Sequence, residues 1–179
     1  VWGRFDTDDV LAIAEHCQSC GWSTRDTTVV MGSSSGGLVV LNALIGTGPI
    51  VAGIALYPVS DLVGLAEHTH RFEAHYTDGL VGPPGSAALV ANSPISRAAE
   101  ISGHLLVMHG TEDPVVPVEH TRRLAAALDP VRVEARIVEV EGEGHGFRSP
   151  ENRRLEYDLV GEFLAGVIER SNGLDQDAQ

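Results

Sequence analysis

The sequence predicts an α/β protein whose strands form a mostly parallel sheet with helices on both faces. Two observations carry this expectation. First, short apolar runs alternate with stretches of helical periodicity, the pattern of a doubly wound parallel sheet. The runs are Thr28 to Met31, Ile50 to Tyr57, Leu105 to Met108 and Val131 to Val140. Second, runs end in loops of glycine, proline and polar residues, which is where open parallel sheets keep their functional groups. These four runs are fewer strands than such a fold normally has, so the sheet is expected in partial form.

Taken in order, a first helix is expected from about Thr7 to Ser19. Val10, Ile13, Ala14 and Cys17 share one of its faces, and Gly21 stops it. Thr28 to Met31 reads as a buried strand. The helix after it, to about Ile45, is apolar almost all round, as a buried helix is. Gly46-Thr47-Gly48-Pro49 then breaks the chain before the second strand. Residues 59–100 are the least regular part. They are expected to form short helices above the C-terminal edge of the sheet, a cap-like insertion that shapes a substrate pocket. The third strand, about His104 to His109, leads through a loop to a helix near Glu119 to Leu128. The fourth, about Arg132 to Val140, leads to a last helix from about Pro150 to Ile168. Residues 1–171 form one domain in this reading, and 172–179 a polar, disordered tail.

The most informative motif is Gly32-Ser33-Ser34-Ser35-Gly36-Gly37, between the first strand and its helix. It reads as a nucleophile elbow, G-x-S-x-G, with Ser34 at the nucleophile position. Glycines at 32, 36 and 37 let the flanking backbones approach. Ser34 is lifted to the N-terminus of the helix, whose dipole favours developing negative charge. Alone this pattern is a modest signal, because glycine and serine are common turn residues. Its weight comes from downstream partners in the order serine, acid, histidine. Asp113 lies just beyond the third strand in His109-Gly110-Thr111-Glu112-Asp113-Pro114-Val115-Val116-Pro117. His145 lies just beyond the fourth in Glu141-Gly142-Glu143-Gly144-His145-Gly146-Phe147.

A serine hydroxyl needs a base within hydrogen-bond reach. His145 is that base, and Asp113 fixes its tautomer and stabilises the imidazolium. The backbone N–H of Ser35 supplies one oxyanion donor. Asp61 and Glu112 are rival acids. The blander readings, that Asp113 merely caps the next helix or braces its own loop and that Ser34 and His145 are ordinary loop residues, carry less weight than the three together in order at strand ends.

These residues resemble the catalytic domain of the prolyl oligopeptidase family of serine peptidases, most closely the dipeptidyl aminopeptidase/acylaminoacyl-peptidase branch. Besides the three loops, the resemblance rests on Asp61-Leu62, Thr69-His70-Arg71-Phe72-Glu73, Tyr76, Gly79-Leu80-Val81-Gly82, Ser93-Pro94-Ile95, and Trp2-Gly3 with Asp6 and Asp9. It runs to about Ile168. It implies an α/β-hydrolase fold, a catalytic triad of Ser34, Asp113 and His145, and a peptide or acyl-peptide substrate cleaved near its N-terminus, with no cofactor. Family members carry a larger domain, usually preceded by a β-propeller. The sequence, opening on Val1, therefore looks like the C-terminal portion of a longer protein. The missing N-terminal segment includes the loop that supplies the second oxyanion donor. The elbow strand, normally central, then lies nearer an edge and favours self-association into a homo-oligomer. Two competing readings remain: a carboxylesterase using the same triad, and a catalytically silent fragment that only associates with its missing segment or itself.

Composition bounds the rest. With 179 residues and 43% hydrophobic content, the chain is long enough to bury a core. A net charge of −13 disfavours nucleic acid and anionic membrane surfaces as partners. No apolar stretch approaches the roughly 20 residues of a membrane span. The true N-terminus is expected to lie outside this sequence, so the lack of a secretory signal here carries little weight, and the cytoplasm is the expected compartment. Cys17 and Cys20 form a C-x-x-C without the further ligands that zinc needs, and they read as structural or incidental thiols. The spacing of His68, His70 and His75 fits no common metal site, so no metal is expected.

Overall fold

The computed structural model describes residues 2–68, 79–131 and 133–177, with the side chains of 67, 68 and 174–177 left aside. The elements in chain order are α1 (Phe5–Ser19), β1 (Val29–Ser33), α2 (Ser35–Ala43), β2 (Ala52–Leu56), α3 (Leu62–His68), α4 (Ala87–Ala91), β3 (His104–Gly110), α5 (Glu119–Leu128), β4 (Glu134–Val140) and α6 (Pro150–Asp177). A 3₁₀ segment, Pro94–Glu100, precedes β3. The sheet is wholly parallel, in the order β1-β2-β3-β4. The register aligns Ser33 with Leu56, Leu56 with Met108, and Gly110 with Val140. The loops that follow β1, β3 and β4 therefore leave the sheet at the same end.

Side-chain alternation along β3 divides the core. Leu105 and Val107 face one layer, with Val40, Leu41 and Leu44 of α2, Ala14 of α1, and Leu124 and Leu128 of α5. Leu106 and Met108 face the other, with Leu159, Phe163 and Val167 of α6. Parallel strands in consecutive order with right-handed crossovers place their connecting helices on one face. The long terminal helix is left to cover the other. A third cluster joins the insertion to the start of α2: Val59 and Leu62, Val81 and Leu89 pack on Leu38 and Val116.

Four expectations are corrected. The elbow strand is not buried. β1 pairs only with β2 among the described residues, Val29 and Val30 are half-buried, and Met31 is 51% exposed. The inward face of α1 uses Val10, Leu11 and Ala14, whereas Ile13 is 63% exposed. Helix contact follows the 3.6-residue period, which separates Ile13 from the Val10–Ala14 line by enough to leave it in solvent. The last helix does not end at Ile168 but continues through Asp177. Its start is sharply set: Ser149 accepts the Asn152 N–H at 3.0 Å and Pro150 occupies the first turn. Finally, Gly36 is not needed for room, as the elbow geometry below makes plain. Thr69 to Tyr76, with His70 and His75, lies outside the described residues, as does the His68 side chain.

Candidate active site

The elbow is a tight passage from β1 to α2. Ser34 has φ +55° and ψ −115°, a conformation that costs a side-chain-bearing residue about 1–3 kcal/mol. The neighbouring chain holds it there. The Ser34 N–H donates to the Leu56 carbonyl at 2.9 Å, and the Ser34 carbonyl accepts the Leu38 N–H at 3.2 Å. A Cβ at Gly32 would lie 2.5 Å from the Gly36 carbonyl oxygen, and one at Gly37 would lie 2.7 Å from the Pro58 side chain. A Cβ at Gly36 would meet nothing within 4 Å. Two of the three glycines are thus demanded by close approach, while Gly36 supplies only the backbone that Gly32 must pass. Ser34 stands where a helix N-cap would stand, but its hydroxyl makes no capping bond. Ser35 is the first residue of α2, so its N–H has no acceptor within the helix.

The Ser34 hydroxyl is engaged elsewhere, 2.9 Å from His145 Nε2. The other ring nitrogen, Nδ1, lies 2.7 Å from Asp113 Oδ2. A carboxylate only accepts, so Nδ1 carries the hydrogen and Nε2 is free to accept from the serine. The two loops holding His145 and Asp113 are tied together: the Glu112 N–H donates to the Glu143 carbonyl at 2.9 Å, and the Gly142 N–H to Thr111 Oγ1 at 2.9 Å. The Asp113 side chain is fully buried, and that of His145 is 22% exposed.

Asp113 divides its oxygens. Oδ1 accepts the Val115 and Val116 N–H groups at 2.8 and 2.9 Å, and Oδ2 faces His145. Bracing its own loop and meeting the histidine are therefore the work of one residue rather than competing roles. Burial pushes the Asp113 carboxyl upward. The N–H groups of His109, His145, Val116 and Val115 outweigh burial and hold it well below the usual carboxylate range. Neither rival acid is the partner of His145 Nδ1, which is Asp113. Asp61 caps α3 through the Val63 and Gly64 N–H groups and pairs with Arg123 at 2.6 Å. The Glu112 side chain is exposed, on the wall of a cleft of about 540 Å³ that Glu112, Val115, His145 and Arg148 help line.

Three residues at the site escaped sequence reasoning. Tyr57, directly after β2, has φ +38° and sets its ring edge-on to His145, with centroids 4.8 Å apart. The buried Glu143 accepts hydrogen bonds from the Asn152 side chain and from the Arg148 and Ser149 N–H groups, each at 2.9 Å. Those bonds, the Asn152 amide first, lower its carboxyl to about 2. Glu143 thereby ties the histidine loop to the start of α6. His109, in β3, is wholly buried beside Asp113. Its place four residues before Asp113, at the end of an apolar strand, was the one available signal. Cys17 and Cys20 are both free thiols, Cys17 half-buried and Cys20 exposed. No group of three or more His, Cys, Asp or Glu able to hold a metal occurs among the described residues. Nor is any described helix long and apolar enough to cross a membrane.

A parallel sheet with an elbow serine at one strand end and histidine and acid loops at two others defines an α/β-hydrolase. Solved structures agree. The chain superposes on a puromycin hydrolase with a TM-score of 0.86 at 35% identity, over 94% of this chain and 26% of that one. A Mycobacterium tuberculosis puromycin-hydrolyzing peptidase gives a TM-score of 0.85 at 34% identity, over 93% and 26%. Residues 1–171 match the prolyl oligopeptidase family, and the chain belongs to it. Among curated relatives, it is 28% identical over 175 residues to dipeptidyl aminopeptidase BIII of Pseudoxanthomonas mexicana, covering 93% of this chain and 25% of that protein. To the acylamino-acid-releasing enzyme of Arabidopsis thaliana it is 26% identical over 164 residues, covering 83% and 21%. The chain thus spans about a quarter of the length of these relatives.

Proposed function

We propose that this chain carries the catalytic residues of a serine peptidase that cleaves peptide or acyl-peptide bonds through an acyl-enzyme. The observation that carries this reading is His145 standing between the Ser34 hydroxyl at 2.9 Å and Asp113 at 2.7 Å. Ser34 Oγ attacks the scissile carbonyl as its proton passes to His145 Nε2. The Ser35 N–H donates to the oxyanion. Collapse of the tetrahedral intermediate breaks the carbon–nitrogen bond, and His145 returns the proton to the leaving amine. Water, deprotonated by the same nitrogen, then releases the acid and restores the serine. Asp113 stays ionised throughout, in keeping with its depressed carboxyl. No cofactor enters this scheme.

One specific observation favours a second reading, a catalytically silent piece. Among the described residues the elbow offers one candidate oxyanion donor, the Ser35 N–H, and the loss of one such donor costs about 10²–10³ in rate. The length of the relatives supports a remedy: a further segment of the same protein supplies the second donor and the grip on the substrate's amino end. The edge of β1 that has no partner strand among the described residues is where that segment, or a second copy of the chain, would pair. Two free cysteines fit the cytoplasm, where thiols stay reduced.

A fluorophosphonate probe tests the reading. Covalent labelling that disappears in Ser34→Ala is expected. Labelling that persists in the variant, or is absent from both this chain and the longest natural form containing it, overturns it. Parallel assays on aminoacyl anilides, puromycin and short acyl esters then separate a peptidase from a carboxylesterase, which shares the same triad.

A further inference from the structure

His109 is a buried ionisable side chain that the scheme above does not use. It sits in β3 with no exposed surface, and both ring nitrogens have partners. Nδ1 is 2.7 Å from Thr121 Oγ1 on α5, and Nε2 is 2.9 Å from the Val116 carbonyl oxygen. A carbonyl cannot donate, so Nε2 carries the hydrogen, and Nδ1 accepts from the threonine in the neutral ring. The tautomer is therefore set by the fold. With the hydrogen so placed, Nε2 also lies 3.3 Å from Asp113 Oδ2, the oxygen that faces His145.

We infer that His109 is a positioning residue for the candidate triad: its Nε2–H shares Asp113 Oδ2 with His145 and fixes how much of that oxygen's charge His145 receives. Two routes act together. Directly, two imidazole nitrogens approach one oxygen of a fully buried carboxylate, at 2.7 and 3.3 Å. Indirectly, His109 holds the Val116 carbonyl while the Val116 N–H holds Asp113 Oδ1 at 2.9 Å. One side chain thereby steadies both oxygens. Thr121 anchors the far side of the ring and ties the site to α5.

Among the described residues, the other ionisable groups around this pair are Tyr57, edge-on to His145, Glu112, Glu143 and Arg148, which line the same cleft as His145, and Glu139 on β4. Glu139 is lowered chiefly by its bond to Arg122, at 2.6 Å, with a smaller effect from His109. None of these side chains bonds the Asp113 carboxylate, whose partners among the described residues are His109, His145, Val115 and Val116. The direction of the expected effect separates sharing from mere packing. If His109 only fills space, its loss loosens Asp113 and weakens the hold on the protonated His145. If it shares the oxygen, its loss returns charge to Oδ2 and strengthens that hold.

The inference rests on Asp113, His145 and Ser34 acting as a unit, and its test reads the histidine itself rather than turnover. The longest natural chain containing this sequence, labelled with ¹³C in its histidine rings, is titrated by NMR, with the His145 resonance assigned from His145→Gln. In His109→Phe the midpoint of the His145 titration moves up by about half a pH unit. In His109→Gln, which keeps a donor at that place, it stays closer to the unmodified protein. Thr121→Val, near in volume and sparing the Nε2–H, gives a smaller upward move. An unchanged or lowered midpoint in His109→Phe overturns the inference. Should that variant fail to fold, an unchanged or lowered midpoint in Thr121→Val does so. Fluorophosphonate labelling of the unmodified chain decides the catalytic reading separately, because the titration proceeds whether or not Ser34 reacts.

Discussion

β1 and β4 are the two outer strands of one sheet, and they are built differently. β4 carries the marks of a natural edge. Its exposed positions include Glu134, Arg136 and Glu139, which pair with Arg170, Glu162 and Arg122. Charges along an edge discourage pairing with other chains. β1 reads Val-Val-Met-Gly-Ser, with no charge and with Met31 half exposed. It has the composition of an interior strand in an outer position. Yet the two strands end in the groups that must meet, Ser34 after β1 and His145 after β4, with β2 and β3 between them. The comparison teaches that the geometry of the site does not depend on β1 being covered, whereas the behaviour of the chain in solution does.

The largest expected effect tests whether those two ends act as one. Ser34→Ala and His145→Ala should each remove on the order of 10⁴–10⁶ of any turnover, and the double variant should lose little more. Rates of peptide hydrolysis check this, and additive losses would separate the two strand ends. Asp113→Asn should cost about 10⁴ with the fold intact, since the amide offers His145 the wrong hydrogen.

Next comes the contrast between centre and edge. Leu106→Ala in β3 removes a side chain with no exposed surface and should destabilise by about 2–5 kcal/mol. Val30→Ala in half-buried β1 should cost well under half of that, as denaturant titration would read. Equal losses would mean that β1 is covered in solution.

A smaller, pH-bounded effect concerns the histidine loop. The Glu143 carboxyl is held at about 2 in the fold, below its ordinary 4.5. A depressed acid stabilises the fold above its ordinary value, and that contribution fades as pH falls from about 4.5 towards 2. Glu143→Gln should therefore lower Tm by a few degrees at pH 7, and the gap should close across that window. A gap constant with pH would assign the loss to packing instead.

The smallest effect on stability is at the edge itself. Met31→Lys should change Tm by little, because the side chain is exposed, yet it should shift the chain towards monomer in light scattering. An unmodified chain that is already a dilute monomer would sink the self-association expected of β1.

Much of this was legible in the sequence because it is local. Ser34 is announced by glycines at fixed offsets, and Asp113 and His145 each follow an apolar run directly. The alternation of runs and helices admits few topologies for a parallel sheet. Other features were not legible, because they depend on what packs against what. Nothing in the residues near Met31 says that its strand is outermost; the expectation that it lies nearer an edge comes only from the family resemblance and the missing strands it implies. The need for glycine at 32 and 37 but not at 36 follows from the path of Pro58 and of the helix backbone. Ile13 belongs to the same periodic pattern as Ala14, and only the line along which α1 meets the core leaves it outside.

The sequence by itself therefore determined the fold class, the order of the candidate catalytic residues and the strand ends that bear them, since each is written within a few neighbouring residues. Only the tertiary structure decided that Asp61 is spent on Arg123, that Asp113 splits its two oxygens between loop and histidine, and that Glu143 and His109 brace the pair. Those contacts join residues far apart in the chain, and burial selects among such partners only once the chain has closed around them.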